Sequence, residues 1–430
     1  MPDLLTIYGV WSGGGGAPPA IAALDAAPPQ WTLVIENPRI DRSADVNHRW
    51  VQDGWDSVTL DIQPSEGDSA QVQWAVNAPG QVRVEVDRWR YAELWDEGAF
   101  TGIDADYRSF VPEAFTMWLF RGSALVWAGF LRDIDGDTTQ PTIVLTGEEF
   151  TSAWQDIMLT ADLSWTGGVL ATLDDVLNRE FNSCWMRTYQ HAGALGTLDF
   201  STTIRDTRRI NEVVDALSIA GPFEWQQWLG RNVTYACNEA LVSVHPGKAG
   251  ADYSASGLTI EWGSGTSESA HTARYTLSTR STRTRAFVMG AGETYEMWGY
   301  NDPLNVPRRD LVYRDDDLPD TLVSATAQEF VRRRGLPMFS ARVTLRVGDF
   351  AGGWPFLWIE DPAGGGGCSP VGSRFYTRVV DAGMIYQGIM RASTWGVSIG
   401  PTGEYMVLDL TQDEGIIDNL PEPIPVYQYL

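Results

Sequence analysis

Short runs of alternating apolar and polar residues dominate the chain from residue 31 to residue 150. Clear examples are WDSVTLDIQ, AQVQWAV and QVRVEVDRW, and each run is bounded by Gly, Pro, Asn or Asp. Alternation with period two is typical of strands that bury one face, and several short strands at this spacing indicate a barrel or a sandwich. We therefore predict a first β-barrel over residues 31–150.

Helical periodicity replaces this pattern after residue 150. Thr172 and Asp175 are spaced to cap one predicted helix at its N-terminus. A second predicted helix ends at Gly221-Pro222 and has one apolar face, made of Ile210, Val213, Val214 and Leu217. Residues 223–310 mix strand-like runs with loops, and the pattern does not assign their topology. We predict a middle domain of helical and mixed α+β structure over residues 151–320.

A third predicted helix, over roughly residues 321–334, leads into the alternating strand SARVTLRVGD. The alternation places Val343 and Leu345 in a core, and it places Arg342 and Arg346 on the outer or subunit-facing side. We predict a helix plus a second β-barrel over residues 321–412. The fold class is therefore mainly β, with two tandem small β-barrels separated by a helix-containing middle domain.

The two ends of the chain differ from these regions in composition. Residues 1–30 contain SGGGGAPP and LDAAPPQ, and this density of glycine and proline predicts a flexible N-terminal arm. Residues 413–430 contain NLPEPIPVYQYL, whose spaced prolines predict an extended C-terminal tail.

The composition excludes several classes of protein. At 430 residues the chain is long enough for more than one core, and its formal net charge of −25 argues against a surface that binds nucleic acid by releasing counterions. An acidic chain can still line a channel through which DNA passes without adhering. No run of eighteen or more apolar residues occurs, so we expect no membrane span, and Met1-Pro2-Asp3 lacks the basic start of a secretory signal.

The stretch DIDGD, from Asp133 to Asp137, invites comparison with a calcium-binding loop. Asp133, Asp135 and Asp137 fit the first three ligand positions of that template. Thr138 stands where a glycine must turn the chain, and Val144 stands where a glutamate must complete the ligand shell. Because strand-like runs flank the stretch, we predict the metal-free turn of a β-hairpin.

A search for catalytic chemistry is negative. The chain contains no G-x-S-x-G, H-E-x-x-H or G-x-x-x-x-G-K motif, and three widely spaced cysteines make neither a zinc site nor a disulfide framework. Glu148-Glu149 and the run Asp315-Asp316-Asp317 are adjacent acids, which rarely face each other as a glycosidase pair must, and we interpret both as solvated turns. The histidines are scattered singly: His48, His191, His245 and His271. We expect no catalytic residues, no cofactor and no metal.

Nineteen tryptophans leave a carbohydrate-binding function open as an alternative. Four of them lie in apolar runs and are expected to fill cores or subunit interfaces: Trp118, Trp127, Trp154 and Trp225. Trp354 and Trp358 lie near glycine-rich loops and are the better candidates for exposure.

A faint internal repeat links the two strand-rich regions. Gly129-Phe130-Leu131-Arg132 is followed by a turn and an apolar strand, and Gly388-Ile389-Met390-Arg391 is followed by a turn and another apolar strand. Any two antiparallel hairpins look alike at this level, but order and direction agree in both regions. We therefore expect the Gly129 and Gly388 hairpins to be structurally equivalent, in two barrels arranged around one acidic channel.

This arrangement resembles the tail hub proteins of tailed bacteriophages, especially the siphophage tail-tip hub. The resemblance rests on FRGSALVWAGFLRDID with TIVLTGEEFTSAWQDI in the first region, and on TAQEFVRRRGLPMFSARVTLRVGD in the second. It covers roughly residues 31–222 and 320–412. The loop FAGGWP, the long arm and residues 223–310 depart from the family pattern.

The resemblance implies a structural hub of a tail tip or baseplate, located at the tail tip of the virion and assembled in the host cytoplasm. The hub would be a homotrimer whose six barrels continue a tail tube. The implied partners are a distal tail or tail tube protein, a tail fibre or tip protein, the tape measure protein, and DNA only in transit. The alternative is a carbohydrate-binding or glycan-cleaving tail component. Possible interface residues are Tyr8, Trp11, Arg342, Arg346, Trp354 and Trp358.

Overall fold

A computed structural model describes most of the strands predicted from the sequence. The described residues are 5–6, 30–36, 50–52, 57–96, 115–159, 163–165, 168–180, 188–190, 202–204, 209–220, 223–232, 237–254, 258–263, 270–278, 283, 285–290, 295–299, 309–314, 323–324, 326–328, 330–331, 338–348, 354, 356–360, 367–381 and 384–412. The expected arm interface residues Tyr8 and Trp11 and the C-terminal tail lie outside them.

The described chain is mostly β-structure. The strands are β1 Leu5–Thr6, β2 Trp31–Glu36, β3 Trp50–Gln52, β4 Ser57–Ile62, β5 Ser69–Ala75, β6 Ala78–Asp87, β7 Thr116–Arg121, β8 Ala124–Gly136, β9 Thr142–Glu149, β10 Leu163–Trp165, β11 Thr188–Gln190, β12 Thr202–Ile204, β13 Phe223–Asn232, β14 Cys237–Pro246, β15 Thr259–Gly263, β16 Thr272–Ser278, β17 Arg285–Met289, β18 Tyr295–Gly299, β19 Asp310–Arg314, β20 Met338–Arg346, β21 Leu357–Glu360, β22 Gly367–Cys368, β23 Arg374–Asp381, β24 Met384–Gly400 and β25 Gly403–Gln412. The α-helices are α1 Arg88–Asp96, α2 Val169–Glu180 and α3 Ile210–Ala220, with 3₁₀ helices at Pro64–Glu66 and Phe150–Gln155.

One sheet of thirteen strands contains both strand-rich regions. Its main path runs β16-β20-β25-β24-β5-β6-β9-β8-β7-β2-β4, and β23 and β15 branch from β24. The strand β5 from the first region pairs with β24 from the second. The predicted mainly β fold is therefore confirmed, and its sheets are large and mostly antiparallel. The pairings given for the described residues do not close either region into a barrel.

The order of five strands is repeated in this sheet. In the first region the neighbours run β5-β6-β9-β8-β7, and in the second they run β16-β20-β25-β24-β23. Within each set the first, second, fifth, fourth and third strands along the chain follow one another, and every pair is antiparallel. We call residues 69–149 unit 1 and residues 272–412 unit 2.

A bulge fixes how the two units align. In unit 1 the β8–β9 register shifts between Leu131 and Asp133, and in unit 2 the β24–β25 register shifts between Ala392 and Thr394. Aligned on these bulges, Gly129 corresponds to Met390, because each pairs with the last residue of the following strand. The two hairpins lie on corresponding strands, as expected, and the match of the two glycines is displaced by two positions. A shift of two keeps the same face of a strand, so alternation does not detect it.

The same alignment matches a hydrogen bond in the two units. The Gly80 amide donates to Glu149 Oε2 over 2.7 Å, and the corresponding Phe339 amide donates to Gln412 Oε1 over 3.4 Å. In both units the last side chain of the fifth strand accepts a hydrogen bond from a main-chain amide of the second strand. The correspondence therefore extends from strand order to individual side chains.

A second sheet and two smaller ones occupy the rest of the described chain. Strands β1-β21-β22-β13-β14-β11 form the second sheet, with β3 joined to β14. The predicted apolar face of α3 is confirmed, since Ile210, Val213, Val214 and Leu217 are all buried. The predicted cap at Thr172 is wrong: α2 begins at Val169, and the Thr172 hydroxyl donates back to the Gly168 carbonyl inside the first turn.

A small module between β16 and β20 has a core of its own. Strands β18-β17-β19 form a three-stranded sheet, and helical residues between 323 and 331 pack on it. Val323, Ala327 and Val331 are buried there, as the predicted third helix requires. One other large cluster joins the buried side chains of units 1 and 2 with those of the second sheet.

Candidate functional site

The joint between units 1 and 2 is an ordinary antiparallel strand pair. Residues 394–399 of β24 pair with residues 75–70 of β5, so that Trp395 faces Trp74 and Val397 faces Val72. All four of these side chains are buried. Main-chain hydrogen bonds and a row of apolar pairs therefore connect the two units along six residues.

The strand that corresponds to β5 in unit 2 has a different environment. Aligned through their pairing with β6 and β20, Trp74 of β5 corresponds to Leu277 of β16. Trp74 is 4% exposed, whereas Leu277 is 63% exposed. In the described residues, β16 has β20 as its one strand neighbour and ends the path of the sheet. The outer edge of β16 is therefore open, whereas the same edge of its counterpart β5 is paired with β24.

In unit 1 the strand that corresponds to β24 is β8, and the end of β8 also lies at an edge of the sheet. Pairing of β8 with β7 extends to Phe130, and within the described chain the residues from Asp133 to Gly136 pair with β9 alone. Ile134 corresponds to Trp395; it is partly buried, whereas Trp395 is fully buried. Asp133 and Asp135 are exposed. The end of β8 in unit 1 thus corresponds to the part of β24 that pairs with β5, and it is open.

The arginines predicted to face outward do so. Arg342 is 62% exposed, with its Nε 3.8 Å from Asp409 Oδ1, and Arg346 is also exposed. Val343 and Leu345 between them are buried, as predicted. A shallow pocket of about 370 Å³ crosses the joint on this solvent-facing side, and polar ends line much of it: Gln71, Gln73, Arg83, Arg342, Ser398 and Asp409.

The expected exposure of Trp354 and Trp358 is wrong. Both side chains are buried, Trp354 edge-on to Phe375 and Trp358 edge-on to Trp74. The reason is that each packs on a distant strand: Trp354 lies against β23, and Trp358, in β21 of the second sheet, lies against β5 of the first. The four tryptophans expected in cores are buried: Trp118, Trp127, Trp154 and Trp225.

A buried polar cluster was missed in the sequence because its members are far apart in the chain. Ser243 Oγ lies 2.8 Å from His245 Nε2, which lies 3.2 Å from Gln226 Nε2, and Gln226 donates to Cys368 Sγ over 3.0 Å. None of these four side chains is more than 3% exposed. Burial, followed by the nearby Glu149, raises the pKa of the Cys368 thiol. A buried neutral thiol is a poor nucleophile, and here its hydrogen bond comes from an amide and not from a base.

The DIDGD stretch forms the end of β8 and the turn into β9. Asp137 Oδ1 accepts hydrogen bonds from the Thr139 amide and the Thr139 hydroxyl, both over 2.8 Å. These bonds lower the pKa of Asp137, the backbone bond having the larger effect. The predicted hairpin is confirmed. Within the part of the chain that the structure describes, no group of three or more His, Cys, Asp or Glu side chains is placed to hold a metal ion.

We therefore expect calcium titration calorimetry to detect no discrete site in the purified chain. The carboxylate of Asp137 is engaged in its own turn, and the glycine and glutamate that a calcium loop needs are replaced. A micromolar site that disappears in Asp135→Ala would contradict this expectation.

Among the described helices, none combines the length and the apolar character needed to cross a bilayer.

Comparison with known proteins identifies the fold. No family model matches the sequence, and no curated protein sequence is similar to it. Three solved tail proteins match the structure over most of both chains. The 43 kDa tail protein of prophage MuSo2 from Shewanella oneidensis is 14% identical with a TM-score of 0.53, covering 91% of this chain and 100% of its own. The tail protein from Neisseria meningitidis MC58 is 12% identical with a TM-score of 0.55, covering 89% and 97%.

The third is prophage tail protein gp18 from Listeria monocytogenes EGD-e, which is 10% identical with a TM-score of 0.50 and covers 89% of this chain and 95% of its own. At these identities the likeness is one of fold. The chain has the fold of phage tail proteins, as its resemblance to that group predicted.

Proposed function

We propose that the chain is a structural hub of a bacteriophage tail tip or baseplate, located in the virion. The observation that carries this proposal is the match to three solved tail proteins, two of them from prophages, over about nine-tenths of the chain. The match also covers at least 95% of each of those chains, so it concerns the whole architecture and not one common motif.

In this proposal the hub is a homotrimeric ring, and each of units 1 and 2 forms a small barrel. The duplication would resolve a mismatch of symmetry between the tail tube and the tail tip. Three copies of a chain with two similar units present six similar surfaces, which allows a threefold tip to join a sixfold tail tube. The arginine face of β20 would take part in subunit contacts through Arg342 and Arg346. Tyr8 and Trp11 of the arm would order against a neighbouring subunit.

The ring would surround the path of DNA and the tape measure protein. A chain with net charge −25 repels phosphates, so DNA in transit would not adhere to its channel. The remaining proposed partners are a distal tail or tail tube protein above the ring and a tail fibre or tip protein below it. In this role the chain transfers load and position between partners and needs neither a catalytic residue nor a cofactor.

The alternative, a component that binds or cleaves host glycans, needs exposed aromatic faces. The two tryptophans that favoured it, Trp354 and Trp358, are buried. In the described chain Trp89 is 73% exposed, but it is a single aromatic side chain and is not one of the tryptophans that suggested this function.

The hub predicts both an oligomeric state and a location. Light scattering of the purified chain should give the mass of three copies, and electron microscopy should show rings with a central opening. An antibody raised against the chain should label the tail tip of virions of the phage that encodes it. Labelling of the capsid, or virions that lack the chain, would contradict a tail-tip role whatever the oligomeric state.

A further inference from the structure

We propose that β16 of one copy adds to the end of β8 of a second copy, and that this contact reproduces between chains the joint that β5 and β24 form within one chain. The inference rests on the proposed ring and specifies which surfaces close it. Both edges lie in the described residues, and they correspond, strand for strand, to the two halves of the existing joint.

The internal joint determines the register of the proposed one. Trp395 faces Trp74, Gly396 faces Gln73 and Val397 faces Val72. Aligned through the bulges and through the β6 and β20 pairings, these residues correspond to Ile134 facing Leu277, Asp135 facing Thr276 and Gly136 facing Tyr275. A one-residue shift would turn the apolar side chains to the wrong face, so the register is specific.

The exposure of apolar side chains supports the same contact. Leu277 is 63% exposed on β16, while the residue at its position in the internal joint is buried. Ile134 is likewise more exposed than the tryptophan to which it corresponds. An antiparallel pair that brings Ile134 and Leu277 together would cover both. Exposed strand edges are otherwise prone to uncontrolled pairing, so a designated partner also protects the sheet.

Charge complementarity favours a second copy of this chain as the occupant. The edge of unit 1 carries Asp133, Asp135 and Asp137 within five residues. Residues 272–283, which include β16, carry three arginines and no acidic residue, in a chain whose net charge is −25. In the proposed register Arg274 lies opposite Asp137, one step beyond the pair formed by Gly136 and Tyr275. An acidic edge and a basic edge on the same chain attract two different copies to each other.

The contact is head-to-tail, because each chain offers one edge of each kind. Such heterologous contacts generate rings if the rotation closes and open filaments if it does not. In a ring of three chains the sheet joints would alternate between internal and intermolecular ones, giving six similar joints.

Cysteine cross-linking tests the register directly. The double variant Ile134→Cys/Leu277→Cys places two thiols opposite each other only across two chains, at a spacing typical of cross-strand disulfides. Mild oxidation should convert most of the protein to species linked between chains, ending at three chains if the ring closes. The matched control is Ile134→Cys/Ala273→Cys, which moves the second thiol four residues along the same face of β16 and should cross-link at least tenfold less.

A second variant tests the contact without a new bond. Leu277→Asp should raise the dissociation constant of the oligomer by at least 100-fold, because it places a charge in the apolar row. Val312→Asp, at a similarly exposed position on β19, should leave it unchanged. If the trimer forms without cross-linking at 134 and 277, the interface is wrong and the proposed hub stands. If the wild type is monomeric and the cysteine pair does not cross-link, both the interface and the ring are wrong.

Discussion

Replacing Arg121 with Met is expected to lower the free energy of unfolding by about 3–5 kcal/mol. Arg121 ends β7 of unit 1, and its Nε and Nη2 donate to Glu404 Oε1 and Oε2 of unit 2 over 2.9 and 3.1 Å. The two side chains are 2% and 11% exposed, and the guanidinium also lies 4.3 Å from the centre of the Phe356 ring. The variant therefore leaves the Glu404 carboxylate buried without this partner.

Urea denaturation followed by tryptophan fluorescence would measure the loss. The matched control is Arg83→Met, which removes a pair with Glu85 whose side chains are 47% and 31% exposed and should change stability by less than about 1 kcal/mol. The double variant Arg121→Met/Glu404→Leu should recover part of the loss, because it removes the uncompensated charge as well. Equal effects of the Arg121 and Arg83 variants would show that burial of the first pair is not what matters.

Local patterns in the sequence correctly predicted which face of a single strand or helix is buried. Alternation along β20 assigned Val343 to the core and Arg342 to solvent, since a strand with one buried face needs no further information. The apolar face of α3 followed in the same way from helical spacing. Both are properties of a single element and the one core against which it packs.

The joints between elements could not be predicted, because alternation determines the face of a residue and not its neighbour. The pairing of β5 with β24 joins residues more than 300 positions apart. The internal repeat was recognised, but the match of Gly129 with Gly388 was displaced by two residues, a shift that preserves every inward and outward assignment. Only the bulges, which interrupt the period, fix the alignment.

The candidate site shows the same limit. Trp354 and Trp358 were expected to be exposed because glycine-rich loops flank them, but their burial depends on contacts with distant segments, Phe375 for Trp354 and Trp74 for Trp358. The hairpin at the DIDGD stretch was correctly predicted, although Asp133 to Gly136 lie in β8 and not in the turn itself. That its strand also presents an edge became visible only when β8 could be compared with β24.

Replacing Glu149 with Gln is expected to stabilise the chain at alkaline pH and to remove a pH dependence that the wild type should show. Burial raises the pKa of Glu149 to about 8, opposed by the hydrogen bond from the Gly80 amide. The other titratable group facing it is the Cys368 thiol, whose pKa burial also raises. A carboxyl whose pKa is raised in the folded state favours folding while protonated. Its contribution is complete below the unfolded pKa near 4.5 and is lost as pH rises through about 8.

Each unit of raised pKa corresponds to about 1.4 kcal/mol, so up to about 4 kcal/mol of wild-type stability should be lost between pH 5 and pH 9. Glu149→Gln should keep most of that stability at pH 9, because an amide cannot ionise. It should also retain the bond from Gly80, as Gln412 does at the corresponding position of unit 2, where it accepts from the Phe339 amide.

Urea denaturation at pH 5, 7 and 9 measures the effect. The neighbouring Glu148→Gln, which changes a partly exposed carboxylate paired with Arg132, should leave the pH-dependent loss in place. A pH profile that is the same in Glu149→Gln and the wild type would mean that Glu149 is ionised in the folded chain at neutral pH.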